Sequence, residues 1–67
     1  MKAVLLKDIK KGTLFTLKPI EEPTEKQVYV RDEYDRETKK YSCYKWYDVN
    51  HYTEKKGTMT VYIDFTF

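Results

Sequence analysis

The last ten residues of the chain, TMTVYIDFTF from Thr58 to Phe67, constrain its fold more than any other stretch. Every second side chain in this stretch is apolar and large, namely Met59, Val61, Ile63, Phe65 and Phe67. A period of two is typical of a β-strand with one buried and one solvated face. Threonine, valine, isoleucine and the aromatic residues also favour strands. The pattern predicts a strand over 58–67 that buries both phenylalanines.

Two earlier stretches predict a β-hairpin. QVYVRDEY at 27–34 and KYSCYKWY at 40–47 are rich in tyrosine and valine and flank the charged segment DRETK at 35–39. Strand-forming residues on both sides of a short polar segment are typical of antiparallel strands joined by a loop. We therefore expect two paired strands with a loop of five residues.

The N-terminal segment predicts two short strands. Residues 3–6 and 13–17 are the candidates, and the chain bends between them at 8–12. The competing interpretation is a helix over 2–11, because Leu5, Leu6 and Ile9 also fit helical spacing. We favour the strands.

The connecting segments lack such patterns. KPIEEPTEK at 18–26 contains both prolines and three glutamates, which predicts an exposed loop. Gly57 suits a turn that leads into the last strand. Residues 48–56 predict no regular element beyond a single helical turn after a capping Asp48.

Five short strands in 67 residues, with few connections long enough for a helix, predict one all-β domain over 1–67. We expect a small five-stranded antiparallel barrel or a strongly curved sheet. The opening pattern, a strand followed by Ile9-x-x-Gly12-x-x-Phe15, resembles the first turn of small SH3-like domains, including uncharacterised bacterial and phage proteins. The resemblance covers about fifteen residues, implies an SH3-like strand order and brings no functional site. An OB-like order is the alternative.

The register of the hairpin decides which aromatic side chains are buried. A five-residue loop pairs Val30 with Tyr44 and Val28 with Trp46, and such β-branched and aromatic pairs stabilise a sheet. A four-residue loop would instead bury Lys45 beside Val30, which is costly without a partner. We therefore expect the two valines, Tyr44 and Trp46 in the core.

The opposite face is the candidate binding surface. It combines tyrosines with cations, and its residues are Tyr29, Arg31, Tyr41, Lys45 and Tyr47, with Lys39, Lys40, Lys55 and Lys56 as phosphate contacts at the rim. Aromatic and cationic side chains on strands stack bases and pair phosphates in several small β domains. The same residue types dominate protein interfaces. The face therefore predicts nucleic-acid binding or, alternatively, a protein partner or a second copy. A third interpretation packs its tyrosines beneath the 18–26 loop or places them on a second face of a half-open barrel.

The charge and cysteine content are compatible with such a binding module. The net charge is only +2, with lysines concentrated in 1–20 and 38–57 and acids in 21–37. One unpaired cysteine fits a reducing compartment. No apolar run approaches the roughly 20 residues that span a bilayer, and the run at 3–6 is too short for a signal peptide. We expect a soluble cytoplasmic protein that does not contact membranes.

The sequence contains few of the residue patterns that catalysis, metal binding or cofactor binding require. Cys43 and His51 are the only cysteine and histidine, and we expect them on different elements, so a metal site or a nucleophile with its base is disfavoured. The acidic residues of 32–37 fall at the hairpin tip, where carboxylates are solvated, and they lack the pattern of a calcium loop. With two glycines there is no glycine-rich phosphate loop. We expect a protein without catalytic activity or cofactor.

Overall fold

The chain forms six β-strands in the computed structural model, which describes residues 1–67. The only helical elements are single 3₁₀ turns at Leu6–Asp8 and Glu25–Gln27, so the helix alternative for 2–11 is wrong and the all-β prediction is confirmed. None of its helices is both long enough and apolar enough to cross a membrane. The strands are β1 (Lys2–Leu5), β2 (Leu14–Phe15), β3 (Tyr29–Asp35), β4 (Lys40–Lys45), β5 (Asp48–Lys56) and β6 (Thr60–Ile63).

The strands make two antiparallel sheets that do not close into a barrel. β1 pairs with β6, and the second sheet has the order β2-β3-β4-β5. Thr16, the residue after β2, connects them: its N–H donates to the Tyr62 carbonyl and its carbonyl accepts from the Tyr62 N–H, each at 3.0 Å. Thr16 is fully buried, and its Oγ1 donates to the Lys18 carbonyl at 2.7 Å.

β5 is the strand that the sequence pattern missed. Residues 48–56 lack clear alternation of apolar and polar side chains because β5 lies at the edge of its sheet and is mostly exposed. Lys45 pairs with Asp48 across a two-residue turn, and the next pair is Tyr44 with Tyr52. Val49, Asn50 and His51 are therefore extra residues on β5, and they hide the pairing from a pattern search.

The β3–β4 hairpin keeps the predicted register at its base and loses it at its tip. Val30 pairs with Tyr44 as predicted, but Asp35 rather than Tyr34 pairs with Lys40, so the loop has four residues. A bulge reconciles these pairings, because Asp32 and Glu33 together lie opposite Ser42.

The hairpin turn explains the shorter loop. The Asp35 carboxylate accepts the Glu37 N–H at 2.9 Å, and the Asp35 carbonyl accepts the Lys39 N–H at 2.8 Å. Lys39 has a left-handed backbone with φ 59°, a conformation that closes such turns at some cost for a residue other than glycine.

The last strand is shorter than its alternation predicts. β6 covers Thr60–Ile63 and buries Val61, but Asp64 has φ 60°, which ends the extended backbone. Beyond this kink Phe67 is 51% exposed, so its predicted place on the buried face is wrong. The Thr66 N–H donates instead to the Glu21 carbonyl at 2.9 Å.

The core is thin, with nine of 67 residues buried. Its main cluster lies between the sheets and consists of Leu6, Ile9, Phe15, Cys43 and Val61. Cys43 lies on the face that we expected to be outermost, whereas Val28 and Val30 are buried on the other face, as predicted. Trp46 is 44% exposed, so its predicted core position is wrong. Both faces of the hairpin are therefore partly covered.

A substitution at Gly57 tests the packing between the sheets. A Cβ atom at this position would lie 2.7 Å from Tyr41 Cε1 and 3.0 Å from Lys7 Cβ. We expect Gly57→Ala to lower the free energy of unfolding by about 1–3 kcal/mol, measured by urea denaturation, because the site is already full. In a Tyr41→Ala background most of that cost should vanish, since the clashing ring is gone. Equal costs in the two backgrounds would contradict this packing.

Candidate binding face

The sheet brings most of the predicted binding residues onto one side, here called the tyrosine face. Directly paired residues share a face. Tyr29 pairs with Lys45, and Tyr41 pairs with both Tyr34 and Lys55. Arg31, two residues after Tyr29, pairs with Cys43 on the same side. The tyrosine face therefore consists of Tyr29, Arg31, Tyr34, Tyr41, Cys43, Lys45 and Lys55, together with Tyr47 in the turn after β4.

Cations lie over the rings of this face. The Arg31 guanidinium carbon is 4.4 Å from the centre of the Tyr41 ring. Lys45 Nζ lies 5.9 Å from the centre of the Tyr29 ring and 5.8 Å from that of Tyr47. Lys55 Nζ is 5.6 Å from the Tyr29 ring centre. These distances are within the range of cation–π attraction, which holds the ammonium groups close to the aromatic surface.

Tyr29 occupies the centre of this arrangement. Its ring stacks on the buried Phe15 with a centroid distance of 5.7 Å and an interplanar angle of 20°. Tyr29 also forms one wall of a surface cleft of about 230 Å³, which is lined by Leu17, Lys18, Ile20, Lys26, Gln27 and Tyr29. Of the third interpretation, the packing of a tyrosine beside the 18–26 segment therefore applies to Tyr29. Tyr29 and Tyr41 also pack against the core cluster, so this face is partly covered from within.

Tyr41 and Tyr47 differ in how much of each ring a ligand could reach. Tyr41 is half-buried, because it packs against the core cluster and against Tyr34 at a centroid distance of 4.8 Å, while Arg31 covers its ring. Tyr47 is 47% exposed and contacts only the ammonium of Lys45 among these cations. Tyr47 is therefore the more accessible of the two rings for stacking.

The four rim lysines do not share one side of the sheet. Lys55 lies on the tyrosine face and contacts Tyr29, as described above. Lys40 and Lys56 pair directly with each other across β4 and β5, on the opposite side from Tyr41 and Lys55. Lys39 is exposed in the hairpin turn. Only Lys55 therefore extends the tyrosine face itself.

Sequence reasoning missed two sets of aromatic contacts, here together called the aromatic patch: the pair Tyr44 and Tyr52, and the cluster of Trp46, Phe65 and Phe67. Trp46 meets Phe67 edge to face at 5.0 Å, and Tyr44 meets Tyr52 in the same manner at 6.4 Å. Tyr52 is 62% exposed. The composition of KWYDVNHY indicated such a surface, but the absence of a predicted β5 left Tyr52 without a partner.

Ionisable groups near the bulge form one surface ion pair. Lys11 Nζ bonds to the Glu33 carboxylate, which raises the pKa of Lys11 and lowers that of Glu33 through the hydrogen bond and the charge of the partner. Both side chains are exposed, so the pair contributes little stability. Its effect is local, since it links the bend before β2 to the bulge in β3.

Cys43 and His51 lie in different surroundings. The Cys43 thiol is buried and donates to the Tyr41 carbonyl at 3.7 Å, whereas His51 is an exposed residue of β5. No group of three or more His, Cys, Asp or Glu residues in the structure is arranged to hold a metal ion. Comparisons with protein-family models, curated proteins and solved structures found no match to this chain.

Burial of Cys43 predicts a specific pH dependence. Desolvation raises the pKa of the thiol from its ordinary value of 9.0 to about 11. The fold therefore favours the neutral thiol, and this stabilisation is complete below pH 9.0 and is lost as pH rises to about 11. We expect the stability difference between the natural chain and Cys43→Ala to narrow over that interval in urea denaturation series. A difference that stays constant across the interval would contradict a buried neutral thiol.

Proposed function

We propose that this chain is a small non-catalytic module that binds single-stranded nucleic acid at the tyrosine face. The observation that carries the proposal is the convergence of four lysines on Tyr29. Lys45 and Lys55 lie over its ring, and Lys18 and Lys26 line the adjoining cleft. The cleft lining contains no acidic side chain. Such a cluster favours a polyanion, although the net charge of the whole chain is only +2.

A flexible strand suits this surface better than a rigid duplex. Lysines neutralise phosphates without reading sequence, and the counterions that they release provide the affinity. The rings of Tyr29 and Tyr47 are both next to Lys45 Nζ, so bases and phosphates can be contacted within a few ångströms of each other. Aromatic side chains interleaved with cations are the usual platform for unpaired bases.

We also propose an SH3-like strand order and a cytoplasmic location for this module. Pairing of the first strand with the last, and the meander of β3, β4 and β5, support the SH3-like resemblance, with an OB-like order as the alternative. The single unpaired cysteine supports a reducing compartment. We propose no cofactor for this activity.

Fluorescence anisotropy with labelled single-stranded DNA and RNA at low salt tests the function. We expect binding that weakens as salt is added. The double variant Lys45→Gln, Lys55→Gln should weaken binding. It should also flatten the slope of log K against log salt by about 1.4, because each phosphate contact on a single strand contributes about 0.7.

The opposite side of the same hairpin offers a matched control. Lys40→Gln, Lys56→Gln removes the same charge from a pair that faces away from Tyr41 and Lys55. It should change the slope much less than the double variant on the tyrosine face. If the two double variants change the slope equally, binding depends only on net charge and the tyrosine face is not the site. If the natural chain does not bind at high micromolar concentration, the proposed function is wrong.

Self-association through the aromatic patch is the second candidate function. The observation that favours it is the exposure of three large aromatic residues of this patch, with Trp46 at 44%, Phe67 at 51% and Tyr52 at 62%. Exposed aromatic clusters of this kind are enriched at interfaces between proteins. A second copy is the partner that we propose for it.

Light scattering over a range of protein concentrations tests this candidate. We expect the mean mass to rise with concentration and the double variant Trp46→Ser, Phe67→Ser to remain monomeric, since these two rings contact each other at the surface. Tyr34→Ser is the control, because Tyr34 is as exposed as Trp46 but lies on the tyrosine face. A natural chain that is monomeric at every concentration would exclude self-association.

A further inference from the structure

The cleft beside Tyr29 has the composition of a site for one planar group. Its volume is about 230 Å³, below the roughly 300–1,000 Å³ of sites for drug-sized ligands. Leu17 and Ile20 supply apolar walls, and Tyr29, whose ring stacks on Phe15 and is contacted by Lys45 and Lys55, lines the cleft beside them. Lys18 and Lys26 supply positive charge on the same lining. An unpaired nucleobase with its phosphate matches this lining, since the base is flat and largely apolar on its faces and the phosphate carries negative charge.

Two of the walls are held by contacts outside the cleft. Tyr29 is fixed from within by the buried Phe15, on which it stacks, and Leu17 packs against the core cluster. Thr16, next to Leu17, is tied to Tyr62 by two backbone hydrogen bonds. A ligand therefore meets walls that are already in position and has little ordering cost to overcome.

The amide of Gln27 is oriented by the 3₁₀ turn that precedes β3. Its Oε1 accepts the Thr24 N–H at 2.9 Å, in a capping box with the side chain of Thr24. The same oxygen also accepts from Thr24 Oγ1 at 3.4 Å, so both of its acceptor positions are used, and the amide donor Nε2 is the group of Gln27 that a ligand can bond. A base edge with carbonyl or ring-nitrogen acceptors matches such a donor.

We propose that this cleft binds a single unpaired nucleotide, with the base between Tyr29 and Ile20 and its phosphate at Lys18 and Lys26. The inference rests on the proposed nucleic-acid function and gives it a recognition element. The remaining strand would pass over Lys45 and Lys55, which lie over the Tyr29 ring. A base can enter only if it is unstacked and unpaired, so the domain discriminates single strands from duplex.

Filling the cleft without changing charge provides the test. Ile20→Trp should weaken binding of a labelled ten-nucleotide oligothymidylate by about tenfold, because the indole would occupy the space of the base and the loss of one base contact costs on that order. Binding of the same sequence as a duplex should change less than twofold. Val49→Trp, at an exposed apolar residue of β5 outside the cleft lining, is the charge-neutral control for unspecific effects of an added indole. Ile20→Ala removes apolar contact area from the cleft instead of filling it, and it should also weaken single-strand binding. Circular dichroism checks that each variant is folded.

The outcomes separate this inference from the function on which it rests. If binding depends on salt and on Lys45 and Lys55 but has the same affinity in both Ile20 variants, the inference that the cleft binds a nucleotide is wrong. The proposed nucleic-acid function is then unaffected. Equal losses for single strand and duplex in Ile20→Trp would also overturn the inference, because the change would then not concern an unpaired base. No binding of the oligothymidylate by the natural chain would overturn both.

Discussion

Two backbone hydrogen bonds between Thr16 and Tyr62 are the constraint on which the rest of the structure depends. They join the β1–β6 pair to the four-stranded sheet at a residue that is fully buried. Because Phe15 precedes Thr16, the same junction places the Phe15 ring in the core and beneath Tyr29. Tyr29 in turn supports the ammonium groups of Lys45 and Lys55. The proposed binding surface is therefore an extension of the core rather than an independent loop.

The sequence correctly predicted strands in which buried and exposed side chains alternate. The prediction was wrong where alternation continues beyond the strand, and it missed the strand that has no alternation. Val61 follows the period of two because it is buried, but Phe67 continues that period after the backbone has turned at Asp64. β5 has no period because both of its faces are largely solvated. Edge strands and kinked ends are set by tertiary contacts, so the pattern of a single segment does not encode them.

The candidate site was predictable to a similar extent. Alternation along the hairpin placed Tyr29, Arg31, Tyr41 and Lys45 on one face, and the pairings of β3 with β4 do so too. What covers that face depends on segments distant in sequence. Cys43 is buried there because it shares the core cluster with Leu6, in the turn after β1, and with Val61, on β6. Lys18 and Lys26 line the same cleft as Tyr29 from a segment that the sequence predicted to be an exposed loop, and no local spacing links them to Tyr29.

The bulge at Asp32 and Glu33 separates the length of the hairpin turn from the register of the core. Below it, Val30 and Tyr44 remain paired, and above it the turn has one residue fewer than a regular ladder with that pairing requires. An unbulged hairpin would transmit a one-residue change at its tip to every pair below and would exchange its two faces. Here such a change can be absorbed at Ser42, where two residues already face one. The tip can therefore vary in length over evolution while the aromatic and cationic residues near the base keep their sides of the sheet.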